Sequence, residues 1–187
     1  MKIVFEDPTF SLQLLRVISQ AYYGGADIGE CLSTAYRIKE GNFESWYAEW
    51  LRTAQRVHKY ANESLLSGHR VSAKDSYLRA SNYYRAAEFL LVDPQDPRIL
   101  ETWGKSKQCF NQASELLSPP VESIEIPFEG TTLPGHFYAN NHGKTVPTLI
   151  VHGGFDSTLE ELYTFAAAPA LQRGYNCIAF EGLDKVE

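Results

Sequence analysis

Residues 147 to 156 read Pro-Thr-Leu-Ile-Val-His-Gly-Gly-Phe-Asp. The apolar run from Thr148 to Val151 has the composition of a strand buried in a parallel sheet. It breaks at His152-Gly153-Gly154, and Ser157-Thr158-Leu159-Glu160 has the form of a capping box that opens a helix. Strand, glycine turn and helix in this order predict the start of a βαβ unit. Glycine also leaves its backbone N–H uncovered. An N–H of Gly154 or Phe155 at the strand tip can therefore face a developing oxyanion, although a plain strand-to-helix turn favours glycine as well.

A change of period divides the chain. Up to residue 118 the apolar residues recur at helical spacing. Asp7-Pro8 opens a helix that Gly24-Gly25 stops, and a short helix follows over about 27–38. Phe43, Trp46, Tyr47, Trp50, Leu51, Ala54, Val57, Ala61 and Leu65 share one face of a long helix with Asn42 as cap and Gly68 as stop. Ser72 with Asp75 resembles a capping box for the next helix, and Asp96-Pro97 repeats the Asp-Pro start. Short loops between such helices predict an antiparallel bundle. Its aromatic stripe reads as interhelical core in preference to a ligand box.

Pro119-Pro120 marks the boundary. Beyond it, Val121 to Phe128 and Thr132 to Ala139 alternate as two strands about a Glu129-Gly130 turn. A loop at Asn140 to Lys144, the strand ending at Val151, a helix over about 158–173 and a strand over 175–180 complete the order. The fold class expected is α/β: an antiparallel helical bundle over 1–118, then a partial α/β domain over 119–187.

Ligands of open α/β sheets sit at the carboxyl ends of the strands. His152, Gly153, Asp156 and Glu181 are therefore candidate pocket residues. Asp156 has two readings, a helix cap or a carboxylate facing the substrate, and the cap is preferred. Ser157 invites assignment as a nucleophile, but its place in the capping box gives its hydroxyl other work. Histidines 58, 69, 136 and 142 show no ligand spacing, so neither metal nor cofactor is expected. The net charge of −6 argues against nucleic-acid binding, and no apolar run is long enough for a membrane span. Cys31, Cys109 and Cys177 are far apart and odd in number, which suggests reduced, buried thiols in a cytoplasmic protein.

These residues resemble a known family. The match is carried by Trp46 to Trp50, by the helix Tyr77 to Phe89, by His152 to Thr158 and by Gly174 to Gly182. Residues 121–182 resemble the first half of an α/β-hydrolase domain. The helices before them resemble the N-terminal helical domain of one branch, which includes the fermentation–respiration switch esterase family, 2,6-dihydroxypseudooxynicotine hydrolase and fungal polyketide-shortening hydrolases. The resemblance implies serine-nucleophile hydrolysis of a small-molecule ester, or of a carbon–carbon bond beside a ketone. It implies an oxyanion hole at the backbone of Gly154 and Phe155, with helices covering the site.

The family next supplies a nucleophilic Ser on a strand-to-helix elbow, then an acid and a His. None of the three has a counterpart here. The Glu181-Gly182 pair is followed by Leu183 to Glu187 where relatives carry a Pro-Gly-x-Gly loop. The expectation is an N-terminal portion, truncated before the nucleophile elbow and inactive alone, which self-associates or pairs with a completing chain. The rival expectation is a non-catalytic interaction protein working through its helical bundle.

Overall fold

The computed structural model describes residues 3–140 and 145–182, so most of the expected Asn140–Lys144 loop and the residues after Gly182 lie outside it. The chain forms two compact units, Met1–Ala113 and Ser114–Glu187. The 118/119 division drawn from sequence falls a few residues later.

In the first unit, side-chain caps set most of the helix starts. The Asp7 carboxylate accepts the N–H groups of Thr9 (2.8 Å) and Phe10 (3.0 Å) and opens α1, Pro8–Ser19. Asp27 caps α2, Ile28–Ala35, and Asn42 caps α3, Phe43–Leu66. Helix α5, Pro97–Ser114, follows Asp96, whose carboxylate takes the Arg98 N–H. Helix α4, Arg70–Glu88, departs from expectation. It starts at Arg70 with no side-chain cap, and Ser72 and Asp75 lie inside it. The cause is the end of α3. Gly68 adopts φ +77°, the His69 N–H returns to Ser64 O (2.8 Å), and the chain is already turned for the next helix.

Helices α3 and α4 run antiparallel. Trp46 Nε1 donates to Ala86 O (2.7 Å), Trp50 lies against Tyr83 with ring centroids 5.4 Å apart, and Tyr77 OH donates to Asn62 (2.6 Å). Position along one helix thus rises as it falls along the other. Trp46 and Trp50 are fully buried, so the aromatic stripe forms core. The Asn82 amide, also buried, accepts from Gln20 Nε2 (2.8 Å) and donates to Gly25 O (2.7 Å) and Val17 O (3.3 Å). It locks α4 to the end of α1.

The second unit holds a four-stranded mixed sheet in the order β1-β2-β4-β3. Strands β1, Glu122–Phe128, and β2, Thr131–Tyr138, form the expected hairpin. Glu129 and Gly130 both take positive φ (43° and 84°), the twist that a two-residue hairpin turn requires. Strand β4, Asn176–Phe180, pairs antiparallel with β2 and parallel with β3, Thr148–His152.

Two expectations need correction. Strand β3 was expected to be buried, yet it is an edge strand whose side chains are mostly exposed, with Ile150 at 67%. Its apolar run fits a central strand, but only β4 pairs with it among the described residues. The following helix is shorter than 158–173 and is not uniform. Tyr163–Ala167 is π-helical, with the Ala168 N–H reaching Tyr163 O, and α6 spans Ala168–Gln172. Pro169 has no N–H for the carbonyl four residues back, which a widened turn accommodates.

Candidate functional site

The carboxyl ends of β3 and β4 lie side by side, since His152 pairs with Phe180 in the parallel ladder. The His152 ring packs toward Phe180 (5.8 Å between centroids) and its Nδ1 donates to Gly153 O (2.9 Å). A carbonyl can only accept, so that bond requires a proton on Nδ1.

After His152 the chain turns through Gly154 and Phe155, both exposed, Phe155 by 90%. Among the described residues, the N–H groups of Gly154 and Phe155 make no hydrogen bond, whereas Gly154 O accepts from Ser157 N (3.3 Å) and Ser157 Oγ (3.2 Å). A Cβ built on Gly154 would meet no atom within 4 Å, and its φ is not in the left-handed region. Neither packing nor backbone strain within this unit therefore demands glycine there. Access to the adjacent amides is what glycine provides.

The helix start behind the turn differs from the sequence reading. Half of a capping box forms one residue further on. Glu161, not Glu160, reaches back to the Thr158 N–H (3.1 Å), and the next amide, Leu159 N–H, is taken by Glu181 Oε1 (2.5 Å). Asp156, preferred as the cap, is exposed in the turn, and these two amides go to Glu161 and Glu181. The Ser157 hydroxyl donates to Gly154 O. Thr158 Oγ1 is buried without a hydrogen-bond partner.

Glu181 is buried, and its N–H donates to Pro134 O (3.1 Å), one step beyond the β2–β4 ladder. The structure thus brings His152, Gly153, Gly154, Phe155 and Asp156 to one strand tip, tied to Glu181. Sequence reasoning missed Glu161. The Thr158-x-x-Glu161 spacing was a legible signal, overlapped by Ser157-x-x-Glu160.

Elsewhere in this unit, Tyr138 OH lies 3.3 Å from His136 Nδ1, and burial holds the phenol well above its ordinary pKa. A cleft of about 230 Å³, lined by Leu117, Ser118, Pro119, Tyr138, Ala139, Asn140 and Leu171, sits at the opposite end of the sheet, where β4 begins. The three cysteines are free and buried, and burial raises the thiols of Cys31 and Cys109 to about 12 and that of Cys177 to about 11. Thiols so shifted carry almost no thiolate at neutral pH. Among the described residues no cluster of His, Cys, Asp or Glu could hold a metal ion, and no helix is long and apolar enough to cross a membrane.

No protein-family model matches the chain. Curated relatives do. It is similar to Hydrolase LUC6 of Fusarium sp, 46% identical over 97% of this chain and 45% of the relative. It is also similar to 20-hydroxy-prefusarin hydrolase FUS2 of Gibberella moniliformis, 44% identical over 97% of this chain and 45% of the relative. Alpha/beta hydrolase xenA of Xenoacremonium sinensis is 41% identical over 92% of this chain and 42% of its own length. Among solved structures, 2,6-dihydroxy-pseudo-oxynicotine hydrolase superposes with a TM-score of 0.73 and 25% identity, over 88% of this chain and 45% of that one. The chain spans a little under half the length of these relatives.

Proposed function

Over the segment it shares with these proteins the chain belongs to the α/β-hydrolase family, and from that premise we propose that it carries the anion-receptive turn of a serine hydrolase. The observation that supports this reading is the pair of unengaged N–H groups at Gly154 and Phe155, at the tip of a parallel strand. When a hydroxyl adds to a carbonyl, the oxygen gains a full negative charge. Preorganised amides stabilise that charge far more than they stabilise the neutral carbonyl. The substrate class is a small-molecule ester, or a ketone whose neighbouring carbon–carbon bond is cleaved.

The turn cannot itself attack. The 187-residue sequence contains no Gly-x-Ser-x-Gly, and the one serine beside the turn, Ser157, donates to Gly154 O. In this proposal the nucleophile, acid and histidine belong to sequence such as the relatives carry outside the matched segment. The open edge of β3 is the place where a further strand adds to the sheet. The 187 residues alone then turn over no ester.

The test has two arms. The purified chain is assayed with p-nitrophenyl acetate. It is then co-expressed with the part of LUC6 that lies outside the matched segment, and the mixture is assayed and treated with a serine-directed phosphonate. No turnover alone, and phosphonate-sensitive turnover on complementation, is the expected result. Phosphonate-sensitive turnover by the chain alone would overturn the reading, as would a complemented sample that stays inactive although the two pieces co-purify.

A further inference from the structure

The anion-receptive turn hangs between two elements, and its far side is gripped by acids. Glu181 stands one residue past β4, and its backbone is pinned to the sheet by the bond from its N–H to Pro134 O (3.1 Å). Its side chain is 7% exposed and crosses to the loop after β3, where Oε1 lies 2.5 Å from Leu159 N. The hydrogen bonds of Ser157 to Gly154 O and of Thr158 to Glu161 run within the loop and the helix start. The Glu181 bond joins that loop to the sheet.

The geometry points to Glu181 as a positioning residue for the Gly154–Phe155 turn. This inference rests on the reading of the turn proposed above. A charge-assisted hydrogen bond to a carboxylate is stronger than one to a neutral oxygen. Two carboxylates at one helix start also complement the positive end of its dipole. The Thr158 and Leu159 amides are taken by Glu161 and Glu181, while those of Gly154 and Phe155 make no hydrogen bond among the described residues. Glu181 thus holds the end of the segment that presents the Gly154 and Phe155 donors.

Residue-resolved amide exchange on the full chain tests this, with wild type, E181Q, E181A and E181D compared. E181Q keeps an acceptor of the same length. E181D keeps the charge but falls short. Losing the bond speeds exchange at Leu159 about tenfold in E181A and E181D, whereas E181Q stays within about threefold of wild type. The Gly154 and Phe155 amide resonances shift in E181A and E181D and return in E181Q. Exchange in β1 and β2 stays unchanged. If E181A does not fold, the contrast between E181D and E181Q decides the matter. Wild-type exchange at Leu159 in E181D would overturn the inference, and so would a uniform rise through β1 and β2. Exchange is read with no anion present, so its failure removes the role of Glu181 and leaves the turn's own role to the complementation assay. A silent complementation assay leaves the exchange result standing.

Discussion

Gly135 and the carbonyl oxygen of Ala179 are in direct backbone approach across the β2–β4 ladder: a Cβ built on Gly135 would stand 2.9 Å from that oxygen and 3.1 Å from Ile124 Cγ1. Backbone in the middle of a sheet cannot give way as a flexible side chain can. Gly135 is flanked by Pro134, whose carbonyl receives the Glu181 N–H, so the close approach also sets where the β4 terminus lies. Gly135→Ala is expected to destabilise the second unit by about 1–3 kcal/mol, as overpacking does. Urea denaturation followed by exchange at β2 and β4 amides measures it, and an unchanged midpoint would contradict the packing described.

Removing a donor tests the turn more directly than enlarging it. Phe155→Pro deletes one N–H while Gly154 keeps its own. In the complemented hydrolase, kcat is expected to fall by about 100- to 1000-fold, the usual cost of one oxyanion donor, with little change in KM. Phe155→Ala keeps the N–H and serves as the control for loss of the exposed ring. Equal losses in the two variants would assign the effect to the side chain.

His58 makes the first unit sensitive to acid. It is half-buried, lies 3.3 Å from Tyr84 OH through Nδ1, and packs edge-on to Tyr77 and Tyr84. Burial, with a smaller contribution from Lys105, lowers its pKa below the ordinary 6.5. The folded state therefore favours the neutral ring. The stabilisation is complete above about pH 6.5 and is lost as the pH falls through the folded-state value. Urea midpoints between pH 7.5 and pH 5 are expected to decline, and His58→Gln is expected to flatten that decline. A parallel decline in both proteins would place the acid sensitivity elsewhere.

Asn82 is a further fixed point. Its amide serves Gln20, Gly25 and Val17 in a buried setting. Asn82→Leu leaves these groups to find new partners and is expected to cost about 2–4 kcal/mol. Thermal unfolding of the first unit, followed by tryptophan fluorescence from the buried Trp46 and Trp50, reads the loss. A change below about 0.5 kcal/mol would show that the network contributes little beyond ordinary surface substitution.

The two margins of the sheet differ in chemistry. Strand β1 carries Glu122, Glu125 and Pro127, which discourage edge pairing, whereas β3 has no Asp, Glu, Lys or Arg from Thr148 to His152. Ile150→Lys is expected to reduce concentration-dependent association in light scattering. A chain that stays monomeric before the substitution would contradict the expectation of an adhesive edge.

Much of this was legible in the residues, because local signals governed it. Asp7, Asn42 and Asp96 announce their helices through side-chain caps, and Glu129-Gly130 announces its hairpin through backbone freedom. The start of α4 was misplaced because the signal that mattered was the Gly68 turn before it, not the Ser72–Asp75 pair within it. The composition of Thr148 to Val151 reads as a buried strand, because an apolar strand reads the same whether or not a neighbour covers it; its open edge was legible only through the family resemblance, which puts another strand beside it. The grip of Glu181 on Leu159 spans 22 residues and crosses between strands, so no local spacing encodes it.

The hollow at Tyr138 and Asn140 lies at the tail of the parallel strands, and the open amides lie at their head. Five residues of strand separate them, about 16 Å. On the function proposed above, concavity and reactivity part company in this unit. On that reading, a ligand screen steered by shape would populate the other pole, and a molecule found there would report on the floor of the sheet while leaving the Gly154 corner untouched.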